Sequence, residues 1–388
     1  MKIIITGGGT AGHVTPLLAV ASELENIHPR SRLRYIGQVG DPMRKLISEQ
    51  GTIEKQYAIF AGKWRRYHGL GTFRHLGDIK TIVKNIRDIF LLFIGFWQSF
   101  FILLSWRPAV VFVKGGYVGL PVGLAAALLR VPIVTHDSDS IPGLTNRILS
   151  RFTKLMAVGL PVEFYEHYYP KSKTRFTGTP IRPEFLNMNS QTKITAREQL
   201  DVKENDKVVA IIGGSLGAIR LNEAVLDNLS KFLSDPSLHL LWVVGNRQYN
   251  ELQKRVENLG ADRYRLHIYP FTLELDRLVA AADVVVSRAG ATSIAELAAA
   301  KKPTILVPNP YLAGGHQLVN AESLTSAEAA LVITEDQLLA NPLVLSEEIF
   351  MLLDDQSLKN KLAYNIHSLT ISNAATRIVT VIHEAVNK

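Results

Sequence analysis

Short apolar segments of strand length alternate with segments of helix length along the whole chain, and this alternation restricts the possible folds more than any other feature. The apolar segments fall into two series, and each series begins with a strand that runs into a glycine-rich turn. The first series reads IIIT at 3–6, LRYIG at 33–37, VVFV at 110–113, PIVTH at 132–136 and LMAVG at 155–159. The second series reads VVAII at 208–212, LLWVVG at 240–245, RLHIY at 265–269, DVVVSR at 283–288 and PTILVP at 303–308.

Nearly continuous apolar strands separated by helices are typical of parallel sheets covered on both faces. We therefore predict an α/β protein of two doubly wound, Rossmann-like domains rather than one large sheet.

The length of 388 residues and the hydrophobic content of 47% also fit two domains with separate cores. A stretch rich in proline and turn residues separates the two series, and a last helical segment follows the second. These features predict an N-terminal domain at 1–160, a linker at 161–186, a C-terminal domain at 187–372 and a C-terminal helix at 373–388. That helix either caps the second domain or crosses back to the first.

Three of the strands end in glycine turns, which read GGGTAGH at 7–13, KGGYVG at 114–119 and GGSLGA at 213–218. A strand-to-helix turn presents the first backbone N–H groups of the helix, and the helix dipole favours an anionic group there. Any one of these glycines could simply make a tight turn. Because two of the three turns open separate domains, we favour a phosphate-containing ligand in a cleft between the domains.

The first glycine turn also matches the dinucleotide-binding fingerprint, with Gly7, Gly9 and Gly12 at the spacing GxGxxG. That fingerprint expects an acidic residue at the end of the second strand, where it binds the ribose hydroxyls. The acid nearest to that position is Asp41, which lies beyond the turn. The sequence therefore disfavours an NAD-type oxidoreductase.

Positive charge is concentrated in the first half of the chain. Residues 1–182 carry 24 Lys and Arg against 11 Asp and Glu, whereas the net charge of the whole chain is +8. This asymmetry indicates an anionic partner, either nucleic acid or a membrane surface. The absence of cysteine excludes disulfides, zinc sites with thiolate ligands and cysteine nucleophiles. Together with the lack of a signal-peptide pattern, it leads us to expect a cytoplasmic location.

A basic segment and a strongly apolar segment follow each other within the first series. Residues 60–107 hold eight Lys or Arg against two Asp or Glu, and residues 89–106 read IFLLFIGFWQSFFILLSW. Eighteen nearly uncharged residues reach the lower limit for a membrane span, but a span would remove a helix from between two strands of the first sheet. The alternatives are a buried crossover helix and a helix that exposes Phe and Trp to the membrane interface beside a basic collar. We favour the second and expect 63–106 to face an anionic membrane surface, because a nucleic-acid partner would not explain the apolar run.

Seven motifs occur together in an order that is highly specific. They are GGTAGH at 8–13, GGYVGLP at 115–121, HDSDSIPGLTNR at 136–147, GTPIR at 178–182, GGSLGA at 213–218, SRAGATSIAEL at 287–297 and HQLVNA at 316–321. This set resembles the bacterial cell-wall glycosyltransferases that form lipid II, the undecaprenyl-diphospho-muramoylpentapeptide β-N-acetylglucosaminyltransferases. The resemblance covers essentially the whole chain and implies a GT-B fold, with two Rossmann-like domains facing each other across a cleft.

The resemblance implies an inverting transfer of GlcNAc from UDP-GlcNAc to the 4-hydroxyl of the lipid-linked muramoyl-pentapeptide, lipid I. It implies no metal or other cofactor, and a peripheral position at the cytoplasmic face of the cell membrane. It also implies that Thr10, Ala11 and Gly12 face the donor, and that Gly115, Gly116 and Tyr117 form a loop for the acceptor diphosphate. The other expected donor contacts are Arg182 and Ser215 at the diphosphate, Thr272 at the uracil, Ala291, Thr292, Ser293, Ile294, Ala295 and Glu296 around the ribose, and Gln317 at the GlcNAc hydroxyls.

Several of these residues also have structural explanations. Ser293 and Glu296 have the spacing of a helix capping box, which would satisfy backbone amides without any ligand. Arg182 fits a solvated charge in a linker, and Gln317 fits a polar residue at a helix start. Ala11 stands where the family usually has glycine, so the approach to the backbone is more restricted there.

Inverting transfer needs a base for the acceptor hydroxyl, and positive charge or dipoles for the departing diphosphate. His13 is the candidate base because imidazole titrates near neutrality; the alternative is that it only holds the loop and positions substrate. His136 and Asp139 are weaker candidates. No spacing of acidic residues and histidines indicates a metal site, so helix N-termini and Arg182 would stabilise the leaving group.

Asp139 departs from the family, which has asparagine at this position. A carboxylate only accepts hydrogen bonds, whereas an amide also donates them, and a diphosphate would repel the carboxylate. Asp139 could therefore contact sugar hydroxyls, act as an acid or base, or reflect a different handling of the donor, in that order of preference. Two other functions stay open, namely a UDP-GlcNAc 2-epimerase on the same scaffold and a non-catalytic sugar-nucleotide-binding protein. An epimerase would need several cleft carboxylates and no membrane face.

Overall fold

The structure is a computed structural model that describes residues 1–8, 11–41, 43–48, 51–63, 79–214, 217–260 and 264–387. The chain divides into two compact units. Unit 1 comprises Met1–Arg182, Tyr311–His316 and Asn373–Lys388, and unit 2 comprises Pro183–Pro310 and Gln317–Ser372. Most of the stretch between the two series of strands therefore belongs to unit 1.

Unit 1 contains a seven-stranded sheet in which all neighbouring strands are parallel. Its strands are β1 (Lys2–Thr6), β2 (Arg32–Gln38), β3 (Ile53–Ile59), β4 (Val110–Val113), β5 (Ile133–Asp137), β6 (Leu155–Val158) and β7 (Thr174–Phe176). The helices that connect them are α1 (Ala11–Ile27), α2 (Arg44–Ser48), α3 (Ile79–Trp106), α4 (Gly116–Leu128) and α5 (Leu144–Leu149). Two 3-10 turns follow, at Val162–Tyr165 and Lys171–Lys173.

Unit 2 contains a six-stranded parallel sheet. Its strands are β8 (Lys207–Ile212), β9 (Leu238–Val243), β10 (Leu266–Tyr269), β11 (Val284–Ser287), β12 (Thr304–Leu306) and β13 (Leu331–Val332). The helices of this part of the chain are α6 (Pro183–Leu186), α7 (Ser190–Gln199), α8 (Ile219–Asp227), α9 (Leu229–Leu233), α10 (Tyr249–Asn258), α11 (Leu275–Ala281), α12 (Ala291–Ala299), α13 (His316–Ser326), α14 (Glu335–Ala340), α15 (Val344–Asp354) and α16 (Gln356–Ser368).

Both sheets have the strand order of a Rossmann-like domain, β3-β2-β1-β4-β5-β6-β7 in unit 1 and β10-β9-β8-β11-β12-β13 in unit 2. The predicted fold class of two doubly wound α/β domains is therefore confirmed. In such sheets ligands bind at the carboxyl ends of the strands where the strand order reverses. The order reverses between β1 and β4 in unit 1, and between β8 and β11 in unit 2. The glycine turns follow β1, β4 and β8, so all three lie at these reversal points.

Helix α3 packs one face on unit 1 and exposes the other. Leu103 and Trp106 are buried in the core beside α4, and the backbone N–H of Phe60 donates to Oε1 of Gln98 at 2.8 Å. By length and composition alone, the part from Val83 to Trp106 could cross a membrane, but only 22% of its most apolar window is buried. The alternative of a buried crossover helix is therefore wrong. The apolar side chains that are more than 40% exposed on this helix are Val83, Ile86, Ile89, Phe90, Phe93, Ile94, Trp97, Phe101 and Leu104.

The last helix, α17 (Ala374–Asn387), packs on the first helix of the chain. Ile378 and Ile382 are fully buried on it. The hydroxyl of Thr376 donates to Oε1 of Glu23 at 2.5 Å, and Arg175 pairs with Glu384 at 2.8 Å. The end of the chain thus completes the unit that its first residues begin.

Candidate functional site

The first two glycine turns touch each other through their backbones. A Cβ on Gly116 would lie 2.7 Å from the carbonyl oxygen of Gly8 and 3.5 Å from Cδ2 of His13. Gly116 also has a φ of 74°, a conformation that residues with side chains rarely adopt. Glycine is therefore required at position 116 by both space and conformation. The contact places the start of α4 beside the start of α1.

The segment that follows β5 holds the second glycine turn in place. The Thr145 hydroxyl donates to the carbonyl of Gly116 at 2.9 Å, and Nδ2 of Asn146 donates to the carbonyl of His136 at 2.9 Å. His136 is fully buried, and its Nε2 lies 2.9 Å from the carbonyl oxygen of Gly178. Burial keeps the pKa of His136 well below its ordinary value, and the charge of Lys114 adds to this effect. His136 is thus a neutral residue enclosed by the fold, which argues against it as the base.

His13 lies half-buried in the first turn of α1, next to the second glycine turn. Its pKa is lowered to about 4, mainly by burial and also by the charges of Lys114 and His316, while the charge of Asp139 opposes them. The imidazole is therefore neutral at pH 7, as a general base must be before it accepts a proton. Its basicity is low unless additional negative charge comes close to it.

Lys114 is a residue of this site that the sequence reasoning missed. It follows β4 directly, and its side chain is only 5% exposed. Burial lowers the pKa of Lys114, whereas the charges of Asp137 and Asp139 raise it. A lysine between an entirely apolar strand and two glycines was the signal in the sequence, because a charge at that point must lie at the carboxyl end of a buried strand.

The two aspartates near Lys114 differ in what they contact. The buried carboxylate of Asp137 accepts the hydroxyl of Tyr169 at 2.6 Å and the backbone N–H of Gly143 at 3.1 Å, so it is used within the fold. Asp139 is half-buried, and its backbone carbonyl accepts the Tyr165 hydroxyl at 2.9 Å. The charge of Asp139 acts on both His13 and Lys114. The structure thus brings Asp139 and His13 together, as residues of one site in unit 1.

The remaining predicted residues of unit 1 are described in part. Thr10 lies outside the described residues, and Ala11 and the exposed Gly12 open α1. Tyr117 donates from its hydroxyl to Oε1 of Gln38. The carboxylate of Asp41 lies 3.2 Å from the Tyr35 hydroxyl and 3.0 Å from the backbone N of Met43. Asp41 therefore supports the loop that follows β2.

In unit 2 the third glycine turn and the start of α12 follow two paired strands, β8 and β11. Ser215, which belongs to that glycine turn, lies outside the described residues. Helix α12 begins at Ala291 with Gly290 as its N-cap, and no side chain caps it. The capping-box explanation of Ser293 and Glu296 is therefore wrong, because Ser293 already lies inside the first turn.

Ser293 and Glu296 line a small cavity of unit 2 on the inner side of α12. Glu296 is 6% exposed, and it is the charged residue of a mostly apolar lining. Charged side chains are rarely this buried unless they have a partner or a function. The other residues of the lining are Phe185, Ile212, Leu275, Val279, Ser287 and Leu297.

Gln317, in the first turn of α13, lies beside the start of α12. Its Oε1 accepts the backbone N–H of Asn309 at 2.9 Å, and its Nε2 lies 3.9 Å from the position that a Cβ on Gly290 would take. Thr272 lies apart, after β10, where its hydroxyl oxygen accepts the N–H of Glu274 at 3.0 Å. Arg182 is half-buried at the last position before unit 2 begins. The structure therefore gathers 291–296 and Gln317 in one place, and Thr272 at a separate strand end of the same sheet.

Within the described residues, no three His, Asp or Glu side chains are grouped so that they could hold a metal ion. The anion-binding features in the two units are backbone turns and helix N-termini instead. These features bind phosphate through N–H groups and the helix dipole.

Comparisons with known proteins cover both units. The family model described as the glycosyltransferase family 28 N-terminal domain matches residues 3–158, and the model for the family 28 C-terminal domain matches residues 208–376. A protein of Acetivibrio thermocellus is 34% identical over 384 residues, which are 99% of this chain and 98% of that protein. It is named UDP-N-acetylglucosamine--N-acetylmuramyl-(pentapeptide) pyrophosphoryl-undecaprenol N-acetylglucosamine transferase. A Bacillus thuringiensis protein with the same name and the number 2 is 33% identical over 390 residues, with 100% of both chains covered.

Solved structures share the fold. A crystal structure of Acinetobacter baumannii MurG is 24% identical, with a TM-score of 0.67 and 99% of each chain covered. A UDP-GlcNAc 2-epimerase from Neisseria meningitidis, bound to UDP-GlcNAc, is 15% identical with a TM-score of 0.66, and the match covers 99% of this chain and 100% of that one. At these identities the likeness is one of fold alone. The family models, by contrast, span both units and the named relatives match the whole length, so the chain belongs to glycosyltransferase family 28.

Proposed function

We propose that this glycosyltransferase transfers GlcNAc from UDP-GlcNAc, with inversion, to the 4-hydroxyl of undecaprenyl-diphospho-muramoyl-pentapeptide. The reaction converts lipid I to lipid II in peptidoglycan synthesis. The observation that carries this proposal is the full-length identity of 33–34% to relatives named for the same transfer. In the structure, a neutral His13 lies beside the first two glycine turns, and this arrangement supports the proposed transfer.

His13 acts as the general base in this proposal. It takes the proton of the 4-hydroxyl while that oxygen forms a bond to C1 of GlcNAc on the face opposite UDP. The bond between C1 and the β-phosphate oxygen breaks, and its electron pair leaves with UDP. Two sources of negative charge help His13, because the charge of Asp139 and that of a bound diphosphate both raise the pKa of a nearby imidazole.

The donor binds to unit 2 in this proposal. Glu296 accepts hydrogen bonds from the ribose hydroxyls, Gln317 contacts the GlcNAc hydroxyls, and the backbone at Thr272 binds the uracil. Arg182, Ser215 and the N-terminus of α12 stabilise the negative charge that develops on the diphosphate. Backbone dipoles and a guanidinium can perform this role without a metal ion, so we propose a metal-independent reaction.

We also propose that the enzyme lies on the cytoplasmic face of the membrane with the outer face of α3 in the interface. Phe90, Phe93 and Phe101 are each more than 60% exposed there, and exposed Phe and Trp side chains favour the boundary between headgroups and acyl chains. A full span would pull the buried Leu103 and Trp106 out of the core, which supports a peripheral position. Residues 64–78, which hold most of the expected basic collar, lie outside the described residues.

Radiolabelled UDP-GlcNAc, supplied with and without a lipid I analogue, tests the proposed reaction. We expect label in the lipid only when the acceptor is present, and the same rate in EDTA. Release of UDP with formation of ManNAc in the absence of acceptor would instead establish a 2-epimerase. Binding of UDP-GlcNAc without any turnover would indicate a sugar-nucleotide-binding protein.

A further inference from the structure

Lys114 is a buried cation for which the proposed reaction has no role so far. It occupies the point where the strand order of unit 1 reverses, between β4 and the second glycine turn. Its ammonium forms no hydrogen bond or ion pair with any residue that the structure describes. The side chain is almost entirely buried, but its ammonium is not one of the fully enclosed unpaired atoms. A charge held at that depth with no bonded partner among the described residues is favourable for binding an anionic ligand.

The neighbouring carboxylates do not supply that partner. The carboxylate of Asp137 already accepts the Tyr169 hydroxyl and the Gly143 N–H. Asp139 influences Lys114 only through its charge, without an ion pair between them. The ammonium therefore has its positive charge available for a ligand.

Polar atoms at and after the end of β5, the strand that pairs with β4, also lack partners. Nδ1 of His136, Oγ of Ser138 and Oδ1 of Asn146 are buried, and each has no hydrogen-bond partner in the described part of the chain. Asn146 lies against Gly115, and His136 is close enough to Lys114 for its charge to affect the imidazole. Native proteins leave few buried polar atoms unpaired, so this cluster indicates a hydrated or ligand-binding region at the end of β4.

The stem of Lys114 runs beside the first glycine turn, because its Cβ lies 3.2 Å from the position that a Cβ on Gly7 would take. The ammonium thus belongs to the same region as the N-termini of α1 and α4, where the helix dipole favours an anion. Two helix N-termini, glycine backbone and a lysine ammonium together form a site for a phosphate-type anion.

We propose that the Lys114 ammonium binds the diphosphate of the lipid-linked acceptor in unit 1. This assignment rests on the proposed function and adds a substrate-binding residue to it. The acceptor is the better candidate than the donor because Lys114 directly precedes the loop of Gly115, Gly116 and Tyr117 that is expected to take the acceptor diphosphate. The proposed contacts to the ribose, uracil and GlcNAc of the donor, Glu296, Thr272 and Gln317, belong to unit 2.

Lys114 then also links acceptor binding to the base. In the free enzyme its positive charge lowers the pKa of His13, together with burial and His316 and against Asp139. A bound diphosphate compensates this positive charge, so His13 becomes a stronger base when the acceptor is in place. The low pKa of His13 in the free enzyme also keeps the imidazole unprotonated until the acceptor binds.

Lys114→Met tests the proposal, because it removes the charge and keeps the length of the side chain. We expect the KM for a lipid I analogue to rise about 10- to 100-fold, the usual loss for a charge-assisted hydrogen bond. The KM for UDP-GlcNAc should change less than about twofold, and Lys114→Arg should recover part of the loss. Inorganic pyrophosphate should compete with the acceptor in the wild type and inhibit Lys114→Met more weakly.

Lys302→Met provides a matched control, since Lys302 is a buried lysine of unit 2 that donates to the carbonyls of Ala280 and Ala282 at 2.9 and 2.7 Å. It should leave both KM values unchanged. Loss of the charge of Lys114 raises the pKa of His13 and shifts the acid limb of kcat/KM to higher pH whether or not Lys114 binds the acceptor. The selective rise in the KM for the acceptor and the weaker inhibition by pyrophosphate are therefore the readouts that a structural lysine would not move. Thermal melting identifies a Met variant that fails to fold, and Lys114→Gln then replaces it.

Three outcomes overturn the assignment or separate it from the proposed reaction. A wild-type enzyme that transfers no label to the acceptor refutes the proposed function, whatever Lys114 does. A selective rise in the KM for UDP-GlcNAc shows that Lys114 binds the donor diphosphate. Unchanged KM values and unchanged inhibition by pyrophosphate in a folded Lys114→Met variant show that the lysine is structural.

Discussion

The protonation of His13 sets the pH range in which unit 1 can act as a base. An unperturbed imidazole with a pKa near 6.5 would be about half protonated at pH 6.5. Burial and the positive charge of Lys114 lower the pKa of His13 to about 4, so the free enzyme keeps it neutral well below neutral pH. Because only the neutral form accepts a proton, activity is present above this pKa and is lost as the pH falls through it.

We therefore expect the acid limb of kcat/KM to lie near pH 4 to 5 and not near 6.5. Initial rates at low substrate concentration, measured from about pH 4 to 8, report the ionisation of the free enzyme. Thermal melting at each pH separates loss of activity from loss of fold. An acid limb at about 6.5 would contradict the burial of the imidazole seen here.

His13→Asn separates the base from a positioning residue. Asparagine keeps a polar side chain that can hold the glycine turn, but it cannot take the proton of the acceptor hydroxyl. We expect kcat to fall about 100- to 10,000-fold, with little change in the KM for UDP-GlcNAc. His28→Asn, just beyond the far end of α1, serves as the control and should keep wild-type kcat.

Near-wild-type kcat in His13→Asn would remove His13 as the base and leave Asp139 as the candidate in unit 1. That result would also assign a new meaning to the charge of Asp139, which in the present proposal only stabilises the imidazolium form of His13.

The sequence predicts the position of an individual residue in the fold only where a recognisable turn fixes that position. His13 closes the first glycine turn, so its position at the start of a helix could be inferred from the motif. Lys114 was missed because its place after β4 shows that it lies at the end of a buried strand but does not show whether its side chain is buried or solvated. The helix start at Gly290 was also hidden, because Ser293 and Glu296 satisfy the capping spacing two residues inside the real helix.

Among the elements, the interior strands were predictable, and of the four edge strands only β10 was. The five predicted strands of each series are apolar because both faces of a parallel sheet are covered. β3 has the sequence IEKQYAI and lies at the sheet edge with several exposed side chains, so it has no apolar run. β7 and β13 are three and two residues long, which is too short for a pattern to be recognised.

The length and apolar character of α3 were evident from the sequence, but its exposure was not. An apolar helix has the same composition whether it fills a core or covers a membrane. Exposure depends on which elements pack against it, and among the described residues the face with Leu103 and Trp106 is the one that is covered. The exposure of its other face distinguishes an interfacial helix from a buried crossover helix.

We expect the double substitution Phe93→Glu and Phe101→Glu to weaken binding to anionic phospholipid vesicles at least about tenfold. Each Phe loses the favourable transfer of its ring from water, worth about 1.5–3 kcal/mol when complete, and each Glu adds charge repulsion. Co-sedimentation with vesicles measures the effect, and transfer to a soluble short-chain acceptor should persist. Tyr364→Glu, at a side chain that is 75% exposed on α16, is the surface control and should bind vesicles as the wild type does.

Unchanged vesicle binding in the double variant would show that the outer face of α3 does not contact lipid. Retention in the membrane after a carbonate wash would contradict the peripheral position and favour a span.

On the scale of the whole molecule, each unit has its own sheet and its own core, but the chain does not divide cleanly between them. The last helix returns to unit 1, and Tyr311–His316 belongs to unit 1 although the residues on both sides belong to unit 2. The sequence could not reveal this, because the apolar face of an amphipathic helix does not specify which core it covers. Only the packing in the folded structure shows which unit a terminal helix joins.

This division predicts two separable unfolding transitions. Ile382→Ala removes a fully buried side chain of α17 and should destabilise unit 1 by about 2–5 kcal/mol. Ile349→Ala removes a fully buried side chain of α15 and should destabilise unit 2 by a similar amount. Differential scanning calorimetry should show each variant lowering a different transition. Saturating UDP should raise only the transition that Ile349→Ala lowers, since a ligand stabilises the unit that binds it. If both variants lower one common transition, the two units unfold as a single cooperative body, and the donor cannot be assigned to unit 2 by this measurement.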